Sequence, residues 1–342
     1  MEGGGSLRME TQDGAALCFP QLSNTSCRKP VSPQSKGAQS EAVLLQIMLS
    51  SISVLTAALN LLVIVSVSHF RQLHTPTNIL LLSLAVSDFL VGLLLMPGET
   101  LRKTACWFLG DLVCSLYNSV SFMITSASVG NMVLISVDRY LAICEPLHYT
   151  ARVTERRTKL CVCVCWLCSV LYGILIVKDD LTHPGRHNSC YGECVIVVDY
   201  ITGTIDLLVS FIIPVTVIVV LYLRVFVVAV SQARAMRSHV TAVTLQCSVT
   251  VTAKKSELKA ARTLGVLVVV FLICFFPYYC VTLAGDDSLN SSSVSFVLDL
   301  FYFNSCLNPV IYALFYPWFR KAVKLIVTLQ ILQPGSCEAN VL

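Results

Sequence analysis

Two carboxylates stand inside runs of apolar sequence, where a charge is costly to hold. Asp88 lies in Leu84-Ala85-Val86-Ser87-Asp88-Phe89-Leu90, and Asp206 in Ile205-Asp206-Leu207-Leu208-Val209. Acids at membrane depth usually face a cavity or a partner. No Lys or Arg lies at comparable depth in the third, fifth, sixth or seventh apolar stretch, since Arg139 and Arg224 are near one end. An unpaired buried carboxylate is expensive unless water or a bound cation neutralises it. A ligand ammonium group is such a cation, which makes Asp206 the candidate counter-ion. Ring faces attract ammonium groups, so Phe275, Tyr278, Tyr279 and Tyr302 are candidates to complete a pocket. Glu99, at the end of the second stretch, is a candidate for a second ammonium. The plainer roles are solvation or internal hydrogen bonding for Asp206, ring packing for the aromatics and a solvated rim position for Glu99.

The sixteen cysteines offer a different chemistry. Cys161, Cys163, Cys165 and Cys168 fall within one apolar stretch, where neighbours two apart on a helix point about 200° apart. They do not form one ligand cluster and read as small packing residues.

These side chains need a membrane scaffold. The chain has 342 residues, 55% hydrophobic and 13% charged, against about 25% charged for a soluble domain. Seven stretches reach the roughly 20 apolar residues that a spanning helix needs. They lie near 43–68, 78–101, 111–143, 159–178, 197–229, 260–283 and 293–315. The fold class is therefore an all-α membrane protein, a seven-transmembrane helix bundle set in a lipid bilayer. Ser, Thr and Asn interleave the third stretch, which suits a helix inside the bundle. Tyr316 to Leu329 mixes basic and apolar residues and reads as a short amphipathic helix on the membrane surface. The organisation is an outer tail over 1–42, the seven-helix membrane domain over 43–315, and the amphipathic helix with a cytoplasmic tail over 316–342.

Basic residues set the orientation. Arg71, Arg152, Arg156, Arg157, Lys159, Arg234, Arg237, Lys254, Lys255, Lys259, Arg320, Lys321 and Lys324 fall on one side, which outnumbers the other. The amino terminus is then outside and the carboxyl terminus inside. The net charge of +4 is spread over loops and forms no nucleic-acid-binding face. The first forty residues lack a signal-peptide core. Asn24-Thr25-Ser26 is a glycosylation sequon suited to an outside tail.

Outside cysteines meet an oxidising environment. Cys114 opens the third helix, and Cys190 and Cys194 lie in the second outer loop. Cys114–Cys194 is the expected bridge, with a second from Cys18 or Cys27 to Cys190. Cys337, behind the amphipathic helix, is a palmitoylation candidate.

Asp138-Arg139-Tyr140 ends the third helix and Asn308-Pro309-Val310-Ile311-Tyr312 ends the seventh, with Asn60, Asp88, Trp166 and Pro214 in helices one, two, four and five. This ordered set resembles the rhodopsin-like G-protein-coupled receptors over about residues 43–329. The run N-S-C-L-N-P-V-I-Y-A-L-F-Y-P-W-F, Asn304 to Phe319, is similar to the signature of trace amine-associated receptors. That resemblance implies a plasma-membrane receptor for small amines, expressed mostly in olfactory neurons and coupled to a stimulatory G protein.

One departure shapes the expected mechanism. Relatives hold the ligand ammonium with an Asp in the third helix, eighteen residues before the Arg of D-R-Y, and here that position is Ser121. Asp206, eight residues before Pro214, offers the replacement. This resembles a clade of fish trace amine-associated receptors with the acid in the fifth helix. Phe275 stands where relatives carry Trp. The family likeness also places Asn60, Ser128, Asn304, Ser305 and Asn308 around Asp88, as a sodium site or a plain polar network. It gives Arg139 a resting partner in Asp138, with Tyr222 and Tyr312 moving towards Arg139 on activation; the sixth helix lacks the acid that many relatives place near its inner end, and Glu257 is the candidate for a partial lock in its stead.

Other classes fit less well. A channel or transporter predicts broken helices or rings of pore charges, and a retinal pigment needs a Lys in the seventh helix. No nucleophile, base and orienting group share one depth, so an enzyme is not expected. A rhodopsin-like receptor for a non-amine ligand, with Asp206 structural, is the nearest alternative.

Overall fold

A computed structural model describes residues 15–18, 26–30, 36–104, 106–240, 248–284 and 291–341. Seven helices are long and apolar enough to cross a membrane: Val43–His69, Pro76–Lys103, Asp111–Cys144, Glu155–Ile176, Tyr200–Val228, Gly265–Leu283 and Phe296–Phe315. They are called the first to seventh helix below. Asn24 lies outside the described residues, as does the side chain of Glu257.

Local chemistry sets the helix starts. Thr75 caps the second helix by accepting from the Asn78 N–H, with Pro76 in the first turn. Thr154 caps the fourth by accepting from the Arg157 N–H. Asp199 caps the fifth by accepting from the Ile201 and Thr202 N–H groups. Such caps satisfy donors that a helix start otherwise leaves open. The Thr202 hydroxyl and these backbone donors hold the Asp199 carboxyl below its usual range.

The third helix packs against the second, fourth, fifth and sixth. Its large exposed apolar residues are Leu112, Val113 and Leu116 near its start and Val137 near its end, as expected for a central helix. Outward faces elsewhere are apolar, with Val54, Leu160, Leu175, Leu223 and Leu314 each at least 60% exposed. A surface like that is stable against lipid and would drive aggregation in water. The interior is closed by Phe70, Ile124, Met132, Phe271 and Tyr312, all fully buried.

Two helices carry a π turn. In the second it spans Val91–Leu95 and in the fifth Leu207–Ile212. A π turn inserts one residue into the helical register and re-aims the side chains beyond it. At Gly92 an added Cβ would lie 2.7 Å from the Ala57 nitrogen, so only glycine lets the first helix approach there. The Ser53 hydroxyl donates to the Gly92 carbonyl at 2.7 Å, closing a backbone group that the irregular turn exposes.

One end of the bundle carries three disulfides: Cys114–Cys194, Cys27–Cys190 and Cys18–Cys106. The first was expected, and the second resolves the open choice in favour of Cys27. The third was not foreseen, because Cys106 sits in a short connection with no pattern to mark it. A small antiparallel hairpin, β1 (Ala15–Leu17) with β2 (Arg28–Pro30), flanks the tail cysteines. The Cys27 N–H donates to the Tyr191 carbonyl at 3.0 Å and the Trp107 N–H to the Gly192 carbonyl at 2.9 Å. Residues 190–194 thus run between the tail and the connection from the second to the third helix.

At the other end, Pro317–Val327 forms an eighth helix, slightly shorter than the expected Tyr316–Leu329. Trp318, Phe319 and Ala322 are buried against the bundle, while Arg320 and Lys321 are exposed. The chain then folds back. Ser336 meets His69 at 3.0 Å, Arg71 pairs with Glu338 at 3.7 Å, and Val341 is fully buried. Cys337 is half-buried in this returning segment.

The fourth-helix cysteines divide. Cys165 fills the space left by Gly130, where a Cβ would lie 2.5 Å from its sulfur. Cys161, Cys163 and Cys168 are exposed, which corrects the reading of them as packing residues: they lie on the outward face of the helix.

Candidate functional site: a carboxylate beneath an aromatic wall

Asp206 ends the first regular segment of the fifth helix, and the π turn begins at the next residue. Its Oδ1 accepts from two hydroxyls. One is Tyr172 of the fourth helix, at a very short contact, and the other is Ser210, one turn on, at 2.9 Å. Tyr172 and Ser210 also meet each other at 2.9 Å. Both donors serve the same oxygen, which leaves Oδ2 without a donor among the described residues. No described Lys, Arg or His pairs with Asp206. Asp206 is half-buried.

An aromatic wall faces this carboxylate from the sixth and seventh helices. The Asp206 charge reaches Tyr278 and Tyr279. Tyr279 stacks on Phe211 with ring centroids 4.3 Å apart. Phe275 lies 4.2 Å from Phe271 and 4.1 Å from Phe301, which in turn contacts Tyr278 and Tyr302 at 5.1 and 5.5 Å. Pro277 lies within the sixth helix between Phe275 and Tyr278. The four aromatics picked from sequence therefore form one continuous cluster, with Phe301 as the link that sequence reading missed.

Ser121, in the third helix, has a buried hydroxyl with no geometrically sound hydrogen-bond partner among the described residues. One turn above it Tyr117 donates to the Leu95 carbonyl and to Glu99 Oε1, both at 3.0 Å. Glu99 is 5% exposed and its Oε2 accepts from Arg102 at 2.9 Å. Glu99 is thus a buried, paired group, where a solvated rim position was the plainer expectation.

Deeper in the bundle Asp88 is fully buried. Ser305 and Asn308 donate to its two oxygens at 2.8 and 2.7 Å, with Ser128 alongside. Asn60 donates to the Ser305 carbonyl at 2.9 Å. The amide oxygens of Asn60, Asn304 and Asn308 are buried without partners. Unmatched buried oxygens in a native interior call for an explanation, and oxygen ligands are what a hard cation takes. Asn131, fully buried with neither amide atom bonded, is a further polar group that sequence reading passed over.

At the end opposite the disulfides, Arg139 donates to Asp138 Oδ2 through Nε at 3.0 Å and Nη2 at 2.5 Å, and makes a very short contact with Thr77. Thr77 also donates to Asp138 Oδ2 at 2.9 Å, and Tyr149 to Oδ1 at 2.8 Å. Burial, with the Asp138 charge beside it, pushes the Tyr149 hydroxyl up, so it remains a donor. Tyr222 and Tyr312 have buried hydroxyls with no partner, and Tyr140 is half-buried.

Comparison with known proteins decides the family. The 7 transmembrane receptor (rhodopsin family) matches residues 59–312. Trace amine-associated receptor 13c of Danio rerio is 36% identical over 98% of both chains. Trace amine-associated receptor 7e of Mus musculus is 36% identical over 95% of this chain and 92% of its own. Trace amine-associated receptor 8a of Rattus norvegicus is 37% identical over 94% of each. The chain belongs to the trace amine-associated receptors.

A trace amine-associated receptor is a multi-pass plasma-membrane receptor and not an enzyme. In this receptor the fourth helix supplies a residue that sequence reading overlooked, Tyr172. The signal was present as a hydroxyl in an apolar stretch, but nothing in a linear pattern pairs the fourth helix with the fifth. Ser210 was easier to find, since it stands one helical turn from Asp206.

Proposed function

We propose that this receptor detects small cationic amines from outside the cell, with Asp206 as the counter-ion of the ligand ammonium. The observation that supports this most directly is the state of Asp206. Two hydroxyls hold one oxygen in place, no protein cation neutralises the group, and the second oxygen has no donor among the described residues. A carboxylate arranged in this way is prepared to accept a charged N–H. The aromatic wall of Phe275, Tyr278, Tyr279 and Tyr302 supplies ring faces and hydroxyls beside it. Ser121 cannot balance a charge, so it lines the pocket as a neutral contact.

The amino terminus lies outside, and the opposite end meets a stimulatory G protein through Asp138, Arg139, Tyr140, Tyr222 and Tyr312. The ligand acts by binding the active arrangement more tightly, which shifts the population. An olfactory role is part of this reading. The polar cluster of Asp88, Asn60, Ser128, Asn304, Ser305 and Asn308 would hold a sodium ion, because its unmatched oxygens suit one.

The test is an amine panel in cells that report cyclic AMP, comparing wild type with Asp206→Ala and Asp206→Asn. Truncating one partner of a buried charge pair costs about 2–5 kcal/mol. Amine potency should therefore fall by about 30-fold or more in both variants while surface expression persists. Undiminished potency in Asp206→Asn would exclude Asp206 as the counter-ion.

A further inference from the structure

The pocket holds a second buried carboxylate, and its condition differs from that of Asp206. Glu99 has both oxygens engaged, Oε1 by the Tyr117 hydroxyl at 3.0 Å and Oε2 by Arg102 at 2.9 Å. The Glu99 side chain is 6% exposed and that of Arg102 26%. The two are three residues apart on one helix, so the pair is built into the local fold and needs no other element to bring it together. Tyr117, which holds Glu99, stands one helical turn from Ser121 on the third helix, so Glu99 borders the pocket that Ser121 lines. Next to this pair, Lys103 meets Asp299 of the seventh helix at 2.8 Å, so that acid is neutralised too.

We propose that Arg102 acts as a built-in second ammonium and makes this a receptor for monoamines that discriminates against diamines. The inference rests on Asp206 being the ligand counter-ion. Among the three acids, Asp206 alone lacks a protein cation. A monoamine supplies the one charge missing. The second ammonium of a diamine would either lose its water without a partner, which is costly, or displace Arg102. Displacing Arg102 only exchanges one cation for another and takes its carboxylate from a half-buried guanidinium. Specificity of this kind comes from the penalty on the wrong ligand rather than from new contacts to the right one.

The experiment compares a straight-chain alkylamine with the α,ω-diaminoalkane of matching length on wild type, Arg102→Gln and Glu99→Gln/Arg102→Gln, with Asp206→Ala in parallel. Wild type should respond to the diamine at least about tenfold more weakly than to the monoamine, a difference of about 1.4 kcal/mol. Arg102→Gln should raise diamine potency relative to monoamine by a similar factor, and the double variant should lose that gain. Equal potency of the two ligands on wild type overturns the proposal, and this readout needs no variant to fold. An unchanged ratio in surface-expressed Arg102→Gln also overturns it. If the monoamine response still requires Asp206 in that case, the failure belongs to the Arg102 pair alone. A monoamine response that survives Asp206→Ala overturns both readings.

Discussion

The Tyr172 hydroxyl donates to Oδ1 of Asp206, so the fourth helix orients an acid carried by the fifth. The fifth helix turns irregular immediately after Asp206, and its own backbone therefore fixes the carboxylate weakly. Tyr172 and Ser210 bind the same oxygen and each other, a triangle that holds one rotamer and aims the other oxygen away from both. Positioning of this kind lowers the ordering cost of binding.

Tyr172→Phe should reduce amine potency about tenfold while preserving the maximal response. The variant keeps the ring and loses only the donor, and a hydrogen bond to a charged group contributes about 1.5 kcal/mol or more. Concentration–response curves for cyclic AMP measure this. Ser210→Ala should have a smaller effect, since Tyr172 remains in place. Full potency in the Tyr172→Phe, Ser210→Ala double variant would show that Asp206 needs no orienting partners.

The Asp88 cluster leads to a second expectation. Amide oxygens of Asn60, Asn304 and Asn308 lie buried and unmatched around a carboxylate, and a sodium ion would satisfy several of them at once. Replacing external sodium by potassium should then raise amine potency about fivefold or more, the lower range of allosteric coupling between sites. Asp88→Asn should remove that dependence, because the neutral amide no longer balances the ion. Identical curves in sodium and potassium for the wild type would show a polar network with no ion.

How much of this was legible beforehand follows from what a linear pattern can carry. Seven apolar runs, the D-R-Y and N-P-x-x-Y ends and the Cys114–Cys194 bridge are each specified by residues close in sequence or by a fixed relation to one helix. The spans moved by only a few residues, because hydropathy sets where lipid contact must end. The missed features join distant parts of the chain. Cys106 pairs with Cys18 across 88 residues, and Tyr172 reaches Asp206 across 34. Arg102 also went unnoticed, although its spacing from Glu99 is the ordinary i, i+3 pairing of a helix. The two π turns left no trace in composition. The one in the second helix carries a tertiary contact, Ser53 with the Gly92 carbonyl, and Glu99 lies beyond it on the same helix.

The last expectation concerns the resting lock at the end opposite the disulfides. Arg139 is bound by Asp138 and by Thr77, and Asp138 is bound in turn by Thr77 and Tyr149. The carboxylate is the hub, since all three neighbours use it. Asp138→Asn should therefore raise cyclic AMP in the absence of ligand, because it removes the charge that retains Arg139. Tyr149→Phe takes away one neutral donor and leaves the ion pair, so its basal rise should be clearly smaller. The Tyr149 hydroxyl is pushed up by burial and by the Asp138 charge, so it stays protonated and the contrast should be the same at mildly acidic and mildly alkaline pH. Basal cyclic AMP normalised to surface expression is the measurement. A Tyr149→Phe effect as large as that of Asp138→Asn would mean that Tyr149, from the connecting segment, retains Arg139 rather than the adjacent charge.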